Sequence, residues 1–193
     1  MMQELKKQIV ETFGFTVQGF NKIQNLFKPI QIEKGEFFLK QGQYPKQLAF
    51  VEKGILREFL YTNDKEVTKW FSTKGYFAVD LSGFLHGKAS KVNYQALCDT
   101  SLLVISKEDY DKIGKSVPEW DRLEKLFLTK CFSVLEDRII SHLSMNAEAR
   151  YKQMFHFQPE LFNQVPLYQL ASMLGMSPET LSRIRNKLSN SIS

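Results

Sequence analysis

"VPLYQLASMLGMSPETLSRIRNKL", residues 165–188, is the stretch whose reading decides how this chain is organised. Ser177 is a good N-cap, Pro178 suits the first helical position, and Glu179 suits the positive end of the helix dipole, so a helix starts sharply here. Leu181, Ile184 and Leu188 follow at i, i+3 and i+7 as one apolar stripe. Glu179 and Arg183 share another face, with Thr180 and Lys187 beside them. Taken alone, this is an amphipathic helix with a solvated face. The residues before it change that reading. Leu167, Leu170 and Leu174 mark a second short helix, and Ala171 is small enough to let two helices cross closely. Gly175 supplies the positive φ that ends the first helix, Met176 plugs the gap, and Ser177 starts the second. The spacing from Ala171 through Gly175 to Leu181 and Ile184 is that of a helix-turn-helix.

In such a motif the N-terminal part of the second helix enters the major groove of DNA. Arg183 then has the reach for a bidentate contact to guanine, and Glu179 for accepting a hydrogen bond from cytosine. Arg185 and Lys187, nearer the far end, are expected to meet phosphates. Ser177, Pro178, Thr180 and Ser182 complete the expected DNA-facing set.

Upstream lies a long helical pattern, "PEWDRLEKLFLTKCFSVLEDRIISHLSMNAEARYKQM", which Pro118 starts after a loop. Trp120, Leu123, Phe127, Val134, Leu135, Ile139 and Leu143 recur at helical intervals, a stripe wide enough to cover a sheet edge and still meet a partner helix. It reads either as a core helix or as a dimer helix. In the second case Leu123, Phe127, Val134 and Leu135 are the seam, and a homodimer presents two recognition helices about one DNA turn, ~34 Å, apart.

Residues 30–106 have another texture, with short β-branched and aromatic runs separated by turns at Gly35, Gly42 and Gly54. "EVTKWFSTKGYFAVD" and "VNYQALCDTSLLVIS" continue it, with Val67, Lys69 and Phe71, then Ala96, Leu103 and Ile105 alternating. Strands at this spacing predict a double-stranded, jelly-roll-like β-roll. "LKKQIVETFGF" and "QGFNKIQNLF" before it look helical. The expected fold is therefore α+β, with a roll over residues 1–115, a dimerisation helix over 116–146 and a helix-turn-helix domain over 147–193.

This order of parts resembles the Crp/Fnr transcription regulators, which carry a cyclic-nucleotide-binding-like β-roll, a dimerising helix and a C-terminal winged helix. The resemblance spans nearly the whole chain. It rests on "LASMLGMSPETLSRIRNKL", on the glycine turns and on "ALCDTSLLVISKEDYDKI", and "SPETLSRIR" is worded like Bacteroidetes-type members. The resemblance implies base reading by a glutamate and an arginine four apart, here Glu179 and Arg183, with RNA polymerase as a further partner. Pro178 stands where a basic residue often precedes the glutamate, and the sequence ends at Ser193, so a short or absent wing is expected.

Cyclic-nucleotide binders of this fold hold ribose with a glycine-glutamate pair and the cyclic phosphate with an arginine and a small hydroxyl residue. The corresponding stretch is "GYFAVDLSGFLHGKASKVNYQAL". Val79 and Asp80 replace the first pair, and Ser90 and Lys91 stand near the second; Phe77 and Leu81 complete the candidate pocket. Lysine lacks the bidentate fork of arginine, so an effector other than cyclic AMP, or none, is expected.

Composition bounds the rest. The 193 residues carry a net charge of +5, which suits a polyanionic partner and equally an ordinary soluble surface. No stretch has the length of a membrane span, and "MMQELKKQIVETFGF" has no unbroken apolar core of a signal peptide, so a cytoplasmic protein is expected. Cys98 and Cys131 are too few for a disulfide framework, and His86, His142 and His156 are scattered, so neither a metal nor a cofactor is expected. No nucleophile-base pair or phosphate loop points to an enzyme. Two classes remain: a dimeric DNA-binding regulator, and a ligand-binding or interaction module whose helix-turn-helix has lost its role.

Overall fold

The computed structural model describes residues 2–62 and 65–189. They divide into two compact units, one holding residues up to 60 together with 70–130, the other 61–69 together with the residues from 131 on. The described residues hold eight strands, β1 Lys28–Ile32, β2 Phe37–Leu39, β3 Gln47–Lys53, β4 Leu56–Tyr61, β5 Glu66–Ser72, β6 Phe77–Ala78, β7 Asn93–Ala96 and β8 Thr100–Ser106, of which the end of β4 and the start of β5 fall in the second unit. They form two four-stranded sheets, β1-β8-β3-β6 and β2-β7-β4-β5, the β-roll of an α+β chain.

The apolar runs of β3 and β8 exist because their sheet is buried on both faces. Ala49, Val51, Leu102 and Val104 point into the roll, against Leu56, Tyr94 and Ala96 of the other sheet. Their neighbours Leu48, Phe50, Leu103 and Ile105 point the other way, into a second core made with helices. Gly54 turns the chain from β3 to β4 at φ +97°, where a Cβ would sit 2.4 Å from Thr100 Oγ1 and 2.8 Å from Thr100 Cα. Only glycine fits there.

The second core takes its helices from both sides of the roll in sequence. Helix α1, Gln3–Lys7, runs into a π-helical turn, and α2, Val17–Ile23, is capped by Thr16, whose Oγ1 accepts from Gly19 N–H at 2.9 Å. Helix α3, Leu81–His86, follows β6; α4, Lys107–Ser116, follows β8, and α5 runs over Trp120–Ser144. The start of α5 corrects the sequence reading of the seam. Leu123 is 1% exposed, within the core that holds Leu5, Phe20, Ile23 and Ile113. Phe127 packs on Phe13 and Phe77, with ring centroids 5.0 and 5.6 Å apart. Leu123 is therefore closed off in the core of the roll unit, while Phe127 packs against that core and stays half-buried. Helical spacing reveals a stripe but not what each turn of it faces.

Further along, α5 is apolar and uncovered: Phe132, Leu135, Ile139 and Leu143 are 64, 45, 52 and 83% exposed at spacings of three, four and four. Val134 is also exposed but lies one residue, about 100°, off Leu135 around the helix. The long helical pattern is interrupted after Ser144. Asn146 caps a new helix, its Oδ1 accepting from Ala149 N–H at 2.9 Å, and α6 runs over Ala147–Phe157. The remaining helices of the second unit are α7 Leu161–Gln164, α8 Leu167–Met173 and α9 Pro178–Ser189. Residues 61–69 belong with them: the N–H of Thr68, on edge strand β5, donates to Ser172 Oγ on α8 at 2.9 Å.

Candidate nucleic-acid interface

Helices α8 and α9 are joined by a turn whose backbone follows from Gly175 at φ +64°. Met176 N–H reaches back to Ala171 C=O at 3.0 Å and Gly175 N–H to Ser172 C=O at 3.2 Å, the paired bonds of a Schellman ending. Ser177 then caps α9, its Oγ accepting from Thr180 N–H at 3.2 Å. Leu170, Ala171 and Leu181 are fully buried and Ile184 nearly so, so the inner face of α9 sits on α8 through the small side chain the sequence singled out. The helix-turn-helix is present as read.

Its polar face is coherent. Glu179, Ser182, Arg183, Asn186 and Lys187 fall at i, i+3, i+4, i+7 and i+8, and with Pro178 and Leu167 they line one open groove. Thr180 and Arg185 do not line it. Arg185 lies two residues from both Arg183 and Lys187, nearly opposite them around the helix, and is half-buried. Glu179 folds back on the start of the helix: hydrogen bonds from its own N–H and from Ser177 hold its carboxyl below the usual carboxylate range. A carboxylate in that state is an acceptor, and the exposed Arg183 is a fork of donors one turn on.

Several residues that sequence reasoning passed over hold this motif in place. Arg150 spreads its guanidinium over three carbonyls, donating from Nε to Leu174 O at 2.9 Å, from Nη1 to Met145 O at 2.6 Å and from Nη2 to Gly175 O at 3.3 Å. His142 lies with Nε2 3.3 Å from Met173 O, and Arg138 Nη2 donates to the same oxygen at 3.4 Å. The carbonyls left over at the end of α8 are thus taken by side chains of α5 and α6. Glu148, in the first turn of α6, pairs with Lys152 and Lys187, each at 2.8 Å. Nothing in the sequence signals these pairings, because each joins residues 24 to 39 positions apart except Arg150 to Met145 and Glu148 to Lys152.

Of the six residues expected to line a ligand pocket, Asp80 and Lys91 are brought into contact, while Phe77 and Val79 pack elsewhere. Phe77 and Val79 pack against the helical core, Phe77 making tilted contacts with Phe13 and Phe50 and an edge-to-face contact with Phe127. Asp80 is occupied as a cap, Oδ1 accepting from Gly83 N–H at 3.1 Å and Oδ2 from Lys91 N–H at 3.3 Å. Ser90 is 3% exposed, its hydroxyl donating to Val92 C=O, while Leu81 is half-buried and Lys91 is exposed. Sequence reasoning missed Tyr94 and Glu58, which are buried across the strand pair β4–β7 and hydrogen-bonded to each other. Burial, then the nearby carboxylates of Glu58 and Asp80, push the Tyr94 phenol well above its usual range, so it stays a neutral donor.

The chain thus combines a double-sheet β-roll with a C-terminal helix-turn-helix. Residues 29–116 match the family model of the cyclic nucleotide-binding domain. Over 186 aligned residues the chain is 23% identical to the transcriptional activator protein Anr of Pseudomonas aeruginosa, covering 89% of this chain and 75% of that protein. Its fold is similar to that of the FixK2 protein of Bradyrhizobium japonicum (TM-score 0.69, 17% identity, 86% of this chain and 85% of that one). It is also similar to the catabolite activator protein of Thermus thermophilus (TM-score 0.56, 22% identity, 92% and 85%). What these likenesses share with the chain is the fold, a cyclic nucleotide-binding-like roll followed by C-terminal helices. Among the described residues no helix is long and apolar enough to cross a membrane, and no three His, Cys, Asp or Glu residues gather as a metal site. The wing expected to be short or absent concerns residues 190–193, which lie outside the described ones.

Proposed function

We propose that the chain is a homodimeric, sequence-specific DNA-binding transcription regulator, working in the cytoplasm, whose roll answers to an effector other than cyclic AMP or to none. The observation that carries this reading is the open groove on α9, where Glu179, Ser182, Arg183, Asn186 and Lys187 present acceptors and donors outward while Leu181 and Ile184 anchor the helix. The Pseudomonas relative, a transcriptional activator, agrees with it. A dimer follows from the stripe Phe132, Leu135, Ile139 and Leu143, which is large and apolar with no cover in the single chain. One recognition helix reads few bases, and a two-fold pair reads two half-sites. RNA polymerase is the partner such a regulator would recruit or block.

The ligand side rests on Asp80, whose carboxylate is used by the N–H groups of Gly83 and Lys91, and on the lack of any arginine between Gly75 and Leu97. A cyclic phosphate has no bidentate partner there.

The test is selection of bound duplexes from a random pool, followed by Arg183→Ala. Two similar half-sites about one helical turn apart should emerge, and the substitution should cost ~1–3 kcal/mol per half-site and flatten one base position in each. A pool with no enriched sequence, or an Arg183→Ala protein with unchanged preference, refutes the assignment.

A further inference from the structure

An ion cluster of the second unit lies beside the groove. Glu148 Oε1 accepts from Lys152 Nζ at 2.8 Å and Glu148 Oε2 from Lys187 Nζ at 2.8 Å, so one carboxylate draws together ammonium groups from α6 and α9. Lys187 is a lining residue of the groove that also holds Glu179 and Arg183. A carboxylate with two oxygens, each on a lysine, has the shape and charge with which a backbone phosphate would engage those two side chains.

Resting on the DNA-binding reading above, we propose that Glu148 is an internal stand-in for a DNA phosphate, which occupies Lys187 and Lys152 while the groove is empty and weakens binding that depends on phosphates alone. Hydrogen bonds from Lys152 and then Lys187 hold its carboxyl down to about 2, so it is fully ionised wherever the protein would meet DNA. A phosphate arriving at Lys187 must either displace Glu148 or share the lysine with it. In the first case an existing pair is lost, and in the second two anions are held together. Both routes reduce the gain from the backbone contact, while Glu179 and Arg183, which read bases, are left untouched. Sequence-independent affinity falls and the ratio of specific to non-specific binding rises.

The size of the effect follows from charge. Two like charges about 5 Å apart in water alter an equilibrium roughly fourfold, and a dimer carries two such sites, so the combined effect exceeds tenfold. The experiment uses the full chain and a labelled 30-base-pair duplex of random sequence, titrated at several salt concentrations. Glu148→Gln should bind this duplex several-fold to more than tenfold tighter, with the base preference of the selected site unchanged. Lys187→Gln should then weaken binding more in the Glu148→Gln protein than in the wild type, because only there does the Glu148 carboxylate no longer compete with phosphate for the lysine. Unchanged or weaker binding by Glu148→Gln overturns the proposal, since a carboxylate that merely orients Lys187 or fastens α6 to α9 predicts a loss. Glu148→Ala gives a second reading of the same sign should the glutamine variant be poorly folded. Wild-type protein that binds no duplex even at low salt would instead refute the DNA-binding reading itself, a result distinct from failure of the competitor role.

Discussion

Paired substitutions in α5, Leu123→Ala and Leu135→Glu, separate the two kinds of apolar residue that the helix carries. Leu123 is 1% exposed among Leu5, Phe20, Ile23 and Ile113, so its truncation leaves a cavity in a packed core. Buried leucine-to-alanine changes cost about 2–5 kcal/mol. For a chain of this size about 3 kcal/mol corresponds to a fall in Tm of roughly 6–12 °C. Leu135 is 45% exposed in the single chain, so a glutamate there disturbs the protomer by only about 0.5 kcal/mol. In a two-fold seam the same carboxylate is buried from both sides without a partner, and each uncompensated charge costs about 3–5 kcal/mol, more than a hundredfold in the dimer constant. Thermal melts at several concentrations read the first effect, because dimerisation feeds into apparent stability. Sedimentation at micromolar protein reads the second. Leu123→Ala should melt early and, while folded, remain a dimer; Leu135→Glu should sediment as a monomer of 22.5 kDa and keep the wild-type secondary structure. A Leu123→Ala protein that keeps its Tm, or a wild-type chain that is monomeric at these concentrations, refutes the division of α5 made here.

Calorimetry with cyclic AMP should show no saturable binding at low micromolar ligand, since Asp80 is engaged by its own loop and Lys91 gives only a single-point cation; a clean isotherm in that range would show that another group holds the phosphate. The Glu148 carboxyl should titrate in carbon NMR with a midpoint near 2, against about 4.5 for a free glutamate, and should rise when Lys152 or Lys187 is replaced. Because its folded value is the lower one, the stabilising share of this cluster is present above about 4.5 and fades as pH falls toward 2; a midpoint at the ordinary value would show the pairs do not persist in solution.

Some of this architecture could be read from residue order because local chemistry dictated it. Gly175, Ser177 and Pro178 set a turn and a helix start through backbone conformation and capping, and these act within a few residues. The glycine turns and β-branched runs marked the roll in the same way. What stayed hidden depended on distant partners. Leu123 and Leu135 have the same side chain on the same helix, and only the presence of α1, α2 and α4 around the former makes one core and leaves the other bare. Phe77 and Val79 pack against a helical core whose members lie far off in the chain, so their surroundings could not be read from their own stretch. Arg150 looked like one more surface cation among 26 lysines and arginines, and only the fold brings the carbonyls of Leu174 and Gly175 to it.

Thr68 and Ser172, joined by one hydrogen bond, stand 104 positions apart in the chain. At about 5–20 residues per second, a ribosome delivers the strand tip roughly 5–20 s before the helix that receives its amide. During that interval the exposed N–H of an edge strand has only water, or another chain's strand, to pair with. A fragment starting at residue 131 would carry the converse defect, with Ser172 in place and its strand missing. Expression of the helix-turn-helix alone should therefore be attempted with the 61–69 segment supplied, since no single cut of the polypeptide yields the second unit entire.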